Sequence, residues 1–307
     1  TALTYLTCQY NQLTTININY ITNLDWLNCS YNQLASLDVS QNTALAYLDC
    51  DDNQLTILDL SNNTALISLF CEQNQLTTLD VSNNINLEDL FLNDNFISIL
   101  NLNQNSALKQ LRSSDNPLGI LDITNNPALT FLDCGNNQLL DLNLSQNILL
   151  ERVLCRYNQI SDLDITNNTA LYSLSCYDNQ LDSLDVSQNT ALTNLSCSDN
   201  QITLLDLTNN TALHSLDCYN NLITVLDLRN GNNQNMLIFN CFDNSNLYCI
   251  DVDDSNWSTT NWSVANGNID AQHYFSTNCP PPSAIQENTT NKELLKVTDL
   301  LGRETKQ

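Results

Sequence analysis

The chain has 307 residues and a formal net charge of −25, with only nine Lys and Arg. A surface this acidic repels nucleic acid and anionic lipid, so we exclude both as partners. No apolar run is long enough to cross a bilayer, so we expect no transmembrane segment. The sequence opens part-way through a repeat, and we expect that an upstream piece is missing.

A fixed period of 21 residues runs through most of the chain. Cysteine marks it, with Leu92 and Ser113 in two of the slots and a two-residue insertion near Gly231 before the last one. The ten cysteines of the column are Cys8, Cys29, Cys50, Cys71, Cys134, Cys155, Cys176, Cys197, Cys218 and Cys241. A short, constant period is typical of a solenoid, in which each repeat forms one coil. The count predicts twelve coils.

Each coil divides into two halves with alternating apolar residues. In the coil at 45–65, LAYLDCDDNQLTILDLSNNTA, these are Leu48 and Cys50, then Leu58 and Leu60. Alternation indicates strands, and neither half has room for a regular helix. We therefore predict a mainly β solenoid of twelve stacked coils. A parallel sheet should lie on the concave side, with extended segments opposite and no long helices.

Asparagine occupies two further columns of the repeat. The first runs through Asn11, Asn32, Asn53, Asn74, Asn95, Asn116, Asn137, Asn158, Asn179, Asn200, Asn221 and Asn244. The second runs through Asn42, Asn63, Asn84, Asn105, Asn126, Asn147, Asn168, Asn189 and Asn210. Asparagine tolerates unusual backbone angles and bonds nearby peptide groups. Stacked amides can also bond from coil to coil, so we expect both columns to build the turns.

The pattern L-x-x-L-x-C-x-x-N-Q-L resembles the leucine-rich-repeat superfamily. Its nested 21-residue form, with L-D-L/V-S-x-N-T-A, resembles the bacterial IRREKO class over residues 3 to about 250. The resemblance implies a scaffold that binds proteins or other ligands. It implies no catalytic chemistry shared by the members of the superfamily. His214 and His273 are the only histidines, and no catalytic motif accompanies them. We therefore predict that the protein is not an enzyme and has no cofactor.

Leu92 occupies one slot of the cysteine column. This indicates that the cysteines pack in the core as small buried hydrophobic side chains. Cysteines one coil apart should lie too far apart for the ~3.8 Å between Cβ atoms that a disulfide prefers. Metal ligation is not expected, because ligands must converge on a point. Cys249 and Cys279 differ, since they lie outside the repeat in a segment that resembles the end cap of such solenoids. We predict that they form a disulfide.

Four segments follow from these patterns. We predict a solenoid at 1–244, a cap at 245–279, a Pro-led linker at 280–291 and a new element at 292–307. The last, KELLKVTDLLGRETKQ, resembles the opening of the C-terminal sorting domain of the type IX secretion system. The likeness implies that the secretion machinery is a partner and that the protein is secreted or displayed on the outer membrane. The alternative is an ordinary amphipathic terminal segment.

Aromatic residues occupy outward positions of the predicted concave sheet. They are Tyr5, Trp26, Tyr47, Phe70, Phe91 and Phe131. Aromatic residues in line suit protein partners, and ring faces suit sugars. The alternative is cross-strand stacking that only stabilises the sheet.

Basic residues are concentrated on the same face. They are Lys109, Arg112, Arg152 and Arg156. One interpretation is a patch that binds an anion or an acidic partner. The other is an internal ion-pair network with Glu88, Asp89, Asp133 and Glu151, which would contribute little at an exposed surface.

A column of aspartates lies on the opposite side of the coil. It contains Asp38, Asp59, Asp80, Asp122, Asp164, Asp185, Asp206 and Asp227. Repulsion between neighbours is roughly 1 kcal/mol per pair even in water. Hydrogen bonds from Ser, Thr and turn amides could offset it, or Ca²⁺ could bridge Asp38, Asp59, Asp80, Asp164, Asp185 and Asp206. Equal thermal stability in EDTA and in millimolar Ca²⁺ would count against calcium.

These observations favour a recognition or adhesion module that binds a protein or glycan through the concave sheet. The alternative is a structural component that assembles with copies of itself. Outward residues of the strand vary from coil to coil, whereas a lattice would tend to keep them uniform. The variation favours recognition.

Overall fold

The computed structural model describes residues 3–280. The chain folds as a leucine-rich-repeat β-solenoid of about 13 turns with one short α-helix, and its larger sheet lies on the concave side. Mainly β architecture with no long helix is therefore confirmed. The segment predicted at 292–307, and nearly all of the linker at 280–291, lie outside the described residues.

The concave sheet has twelve parallel strands, the number predicted. They are β1 Tyr5–Thr7, β2 Trp26–Asn28, β3 Tyr47–Asp49, β4 Ser68–Phe70, β5 Asp89–Phe91, β6 Gln110–Arg112, β7 Phe131–Asp133, β8 Arg152–Leu154, β9 Ser173–Ser175, β10 Asn194–Ser196, β12 Ser215–Asp217 and β14 Ile238–Asn240. Their pairing is in register with the repeat, as in Leu27 with Leu48. Residues one period apart are therefore neighbours in space.

The opposite side is extended without regular strands until the tenth coil, where a second parallel sheet begins. It contains β11 Leu204–Asp206, β13 Val225–Asp227, β15 Cys249–Asp251 and β16 Tyr274–Ser276. The two-residue insertion coincides with a 3-10 helix at Asn233–Asn235. Extended segments opposite the concave sheet were predicted, and in the last four turns they pair as strands.

The predicted cap continues the solenoid for one more turn. Helix α1, Ser255–Asn261, follows β15, and the chain then covers the edge of β14, where Cys241 N donates to the Asn268 carbonyl at 2.8 Å. Cys249 and Cys279 are joined by a disulfide, with 5.8 Å between their Cα atoms. The cap is therefore built onto both sheets.

One continuous core runs along the axis, formed by the inward leucines and the cysteine column. All ten repeat cysteines are free, and nine are buried. The Cys50 thiol donates to the Phe70 carbonyl at 3.4 Å, and the Ser113 hydroxyl donates to the Asp133 carbonyl at the same distance. Serine therefore fits a cysteine slot because both side chains are small and both can donate. Reduced cysteines in the core are as predicted.

The first asparagine column acts differently from our expectation. The left-handed residue is the one before each asparagine, such as Tyr31 at φ 53° and Asp52 at φ 50°. The amide of Asn95 donates to the carbonyls of Cys71, Leu92 and Asn93, and its oxygen accepts from Leu76 N at 3.0 Å. The asparagines therefore bond the main chain of two coils and do not bond each other's amides.

The second column ties each coil to the one before it. The Asn63 amide donates to the carbonyls of Val39 and Asn42, at 3.0 and 2.9 Å. The same pair of bonds recurs in later coils, as at Asn84 and Asn105. Each coil is thus held to its neighbour at both turns as well as along the sheet.

We expect Asn95→Ala to lower the free energy of unfolding by about 2–4 kcal/mol, because it leaves several buried main-chain groups without partners. Urea denaturation of the purified protein measures this. The exposed Asn62 gives a matched control, and Asn62→Ala should change stability by less than about 0.5 kcal/mol. Equal effects of the two substitutions would contradict the role of the first column.

We expect a thiol reagent to modify about one cysteine per native chain, because thiolates form and react only where solvent reaches them. Cys8 is half-buried, whereas burial raises the pKa of Cys50, Cys71 and Cys134 well above the ordinary thiol value. Titration with Ellman's reagent measures the number. All ten free thiols should react in denaturant, and rapid reaction of several in the native state would be inconsistent with this core.

Candidate functional site

The concave face carries three outward positions in each coil. They are the first and third strand residues and the residue after the cysteine, because alternate side chains of a strand point to opposite sides. Every predicted ring occupies one of the first two, and Arg156 occupies the third. We use the name concave face for these three columns.

Five of the predicted rings stack into one line across the first five coils. Tyr5 and Trp26 lie 5.7 Å apart between centroids, and Trp26 and Tyr47 lie 3.3 Å apart with only 2° between their planes. The line continues from Tyr47 to Phe70 at 5.2 Å and to Phe91 at 4.8 Å, the last pair edge to face. Between β3 and β4 it crosses from the first strand residue to the third, that is, from the first column to the second. We call these five rings the aromatic ribbon.

Two arginines extend the aromatic ribbon. The guanidinium carbon of Arg112 lies 4.3 Å from the Phe91 centroid and 5.3 Å from that of Phe131. Arg152 lies on the same Phe131 ring at 5.5 Å. Eight of the ten residues predicted for binding therefore form one contiguous row, from Tyr5 to Arg152.

The other two basic residues are neutralised within the molecule. Lys109 Nζ lies 2.7 Å from Glu88 Oε2, and Arg156 Nη1 lies 3.0 Å from Asp133 Oδ1. Arg156 reaches Asp133 across Gly135, where a Cβ atom would lie only 3.2 Å from Arg156 Cγ. The ion-pair interpretation thus describes Lys109 and Arg156. It does not describe Arg112 or Arg152, for which residues 3–280 offer no ion pair within 4.0 Å.

A group of carboxylates beside the aromatic ribbon was not predicted. Asp49 Oδ2 accepts from the Asn28 amide at 2.6 Å, and Asp51 Oδ1 accepts from Glu72 N at 2.6 Å. Burial, together with the charges of Asp49 and Glu72, raises the pKa of Asp51 to about 8. Burial and the charges of Asp49 and Asp51 raise the pKa of Tyr47 to about 12. The sequence signal was an acid after the cysteine in two successive coils.

Asp51 should make stability fall with rising pH. Its folded pKa of about 8 exceeds the ordinary value of 3.8, so the folded state holds the proton more tightly. The stabilisation is full below about pH 4 and is lost as pH rises through 8. Asp51→Asn removes this titration, so we expect the variant to gain about 1–3 kcal/mol over the native protein between pH 5 and pH 9.

Urea denaturation at the two pH values measures that gain. Asp164→Asn is the matched control, because hydrogen bonds from Thr166 lower the pKa of Asp164. The contribution of Asp164 to stability is present above the ordinary aspartate pKa and is lost only below it. The difference in stability between Asp164→Asn and the native protein should therefore be the same at pH 5 and at pH 9. An identical pH profile for Asp51→Asn and native protein would refute the assignment.

The aspartates on the opposite side lie in local turns. Asp164 Oδ1 accepts from Thr166 N at 3.0 Å and from its hydroxyl at 2.6 Å. The same bond to the nitrogen two residues later is made by Asp38, Asp59, Asp80, Asp122, Asp185, Asp206 and Asp227. Local hydrogen bonds therefore offset the repulsion along this column. Calcium bridging stays a hypothesis for the EDTA comparison.

Within residues 3–280, no three His, Cys, Asp or Glu side chains are grouped so that they could hold a metal ion. Over the same range, no helix has the length and apolar character needed to cross a membrane.

Solved structures similar to this chain are leucine-rich-repeat proteins. The functional domain of InlJ from Listeria monocytogenes, described as including a cysteine ladder, is 35% identical over 81% of this chain, with a TM-score of 0.77. An internalin, inlF, of the same organism is 21% identical over 82% of this chain and 86% of its own, at TM-score 0.66. YopM from Yersinia enterocolitica is 26% identical over 74% of this chain and 48% of its own, at TM-score 0.61.

The chain spans 58% of the InlJ structure. No protein-family model and no curated protein matches it. The 21-residue class and the sorting domain therefore stay predictions. The repeat, the concave sheet and these likenesses together give the chain the leucine-rich-repeat solenoid fold found in bacterial proteins such as the internalins and YopM.

Proposed function

We propose that the chain is a non-enzymatic recognition module that binds a protein partner through the concave face. The observation that carries the proposal is the contiguous row of five rings, Arg112, Phe131 and Arg152 along that face. Solenoids of this type use their concave surfaces for binding. Aromatic residues and arginine are also the residues most enriched in the energetic centres of protein interfaces.

Ring orientation supports a protein partner over a glycan. Sugar rings stack on free aromatic faces, but Trp26 and Tyr47 cover each other's faces at 3.3 Å. Trp26 also stacks on Tyr5, and the Arg112 guanidinium lies over the Phe91 ring. Trp26 therefore offers mainly its ring edge to a ligand, and ring edges pack well against the faces of a partner's aromatic side chains.

We also propose that the protein acts outside the cell, secreted or on the cell surface. The Cys249–Cys279 disulfide suits an oxidising compartment, and the segment at 292–307 supports export by the type IX machinery. An adhesion role would follow from a partner on another surface. Labelling of intact cells with a membrane-impermeant biotin reagent tests the location, and complete protection of the protein would contradict it.

Self-assembly is the second candidate, favoured by aliphatic residues on the opposite side. Ile57, Ile99 and Ile120 are 73%, 76% and 80% exposed. Rows of exposed aliphatic side chains can pack against copies of the chain. Light scattering over a range of concentrations separates the two proposals, because a monomer at all concentrations would exclude assembly.

We expect the double substitution Trp26→Ala and Tyr47→Ala to weaken binding to the partner at least about 100-fold, since it removes two central rings. Cross-linking capture from cell envelopes, then titration of the recovered partner by calorimetry, measures the loss. Tyr248→Ala is the matched control, because Tyr248 is 60% exposed and directly precedes β15 of the second sheet, away from the aromatic ribbon. Unchanged affinity of the partner for the double variant, or an equal loss of affinity in Tyr248→Ala, would refute this site.

A further inference from the structure

We infer that Arg112 and Arg152, with the Phe131 ring between them, form a clamp for one carboxylate group on an acidic segment of the protein partner. The inference rests on the proposed function and specifies the chemistry of the partner at one end of the concave face. We call these three residues the arginine clamp.

The first step is that the two arginines lack the partners their neighbours have. Lys109 and Arg156 are paired with acids, whereas Arg112 and Arg152 have no ion pair within residues 3–280. Arg112 Nε is also buried and has no hydrogen-bond acceptor. A buried donor without an acceptor is destabilising, so Arg112 is incompletely bonded within the described residues.

The second step is that the nearby acids are engaged elsewhere. Asp133 lies opposite Arg112 in the sheet, but its carboxylate accepts from Arg156 Nη1 at 3.0 Å and from Gly135 N at 3.2 Å. Glu72 accepts from the Asn93 amide at 2.7 Å. Burial raises the pKa of Glu72, and the charge of Arg112 partly offsets that effect without a contact. Neither Asp133 nor Glu72 therefore forms an ion pair with Arg112.

The third step is preorganisation. Both guanidinium carbons lie within 5.5 Å of the Phe131 centroid, and Arg112 also lies on Phe91. Stacking restricts the arginine side chains before any ligand arrives, so less entropy is lost on binding. A planar guanidinium offers two parallel N–H donors, which match the two oxygens of a carboxylate.

The fourth step selects a single carboxylate on a protein segment. Glu88, Asp89 and Glu151 flank the arginine clamp, and the chain carries a net charge of −25. At physiological ionic strength, salt screens charges that lie more than about 8 Å away. The three flanking acids lie beside the arginine clamp, so they would still repel a ligand that carries many negative charges. Phe91, Phe131 and the half-buried Leu154 supply apolar contacts. An Asp or Glu beside apolar residues satisfies all of these conditions.

The test uses a peptide probe whose carboxylate can be removed without changing its shape. The protein with ¹⁵N-labelled arginine is titrated with acetyl-Phe-Glu-Phe-amide, and the Nε–H signals of Arg112 and Arg152 are followed by NMR. We expect both signals to shift. The matched peptide acetyl-Phe-Gln-Phe-amide should bind at least about tenfold more weakly, because it lacks the charged acceptor.

Protein variants provide the second comparison. Arg112→Gln and Arg152→Gln should each weaken the Glu peptide about tenfold or more, whereas Lys109→Gln should change its affinity less than about twofold. Lys109→Gln is the matched control, because it also removes one positive charge directly beside β6, from a residue that is paired with Glu88. An unchanged Arg156 signal and thermal midpoint verify the fold of each variant.

Three results would overturn the arginine clamp. They are equal binding of the Glu and Gln peptides, an equal loss in Lys109→Gln, or tighter binding of inorganic sulfate than of the Glu peptide. The first comparison uses only native protein and therefore does not depend on the folding of variants. Failure here, with the Trp26 and Tyr47 dependence of the partner intact, would refute the clamp and leave the proposed function standing.

Discussion

Hydrogen bonds from stacked asparagine side chains to the main chain are the interaction on which this solenoid depends. Strands of only three residues supply few ladder bonds, and the buried turns between them expose carbonyls that water cannot reach. Asn95 satisfies four main-chain groups and Asn63 two, each linking neighbouring coils. With only five glycines in the chain, the turns are made by asparagine and by the left-handed residue before it.

A fixed interior leaves the outward positions free to differ. Inward leucines and cysteines repeat in nearly every coil, whereas the concave face changes from rings to carboxylates to arginines along its length. Because the register places residues 21 apart beside each other, separate coils build one surface, as with Trp26 and Tyr47. The repeat thus provides the scaffold, and the variation within it provides the surface through which we propose that the chain binds.

The repeat in the sequence was sufficient to predict the concave sheet, its twelve strands and the buried thiols, because these depend only on which positions recur. Other features depend on side-chain directions, which the period does not encode. The aromatic ribbon crosses columns between Tyr47 and Phe70, and Arg156 reaches back to Asp133 past Gly135, where a Cβ atom would press against the arginine side chain. The raised pKa of Asp51 likewise reflects burial by its neighbours, which no column reveals.

In the recognition role that we propose, charge along the concave face gives a bound partner a direction. The carboxylates Asp49, Asp51 and Glu72 lie beside the early rings, and the unpaired Arg112 and Arg152 lie beyond them. With a pKa of about 8, Asp51 is mostly protonated at neutral pH, so it adds little repulsion there against an acidic group. Complementary charge mainly determines orientation and specificity, while buried rings supply affinity. In the proposed function, the arginines of this row therefore determine mainly the orientation of the partner, and the rings supply mainly affinity.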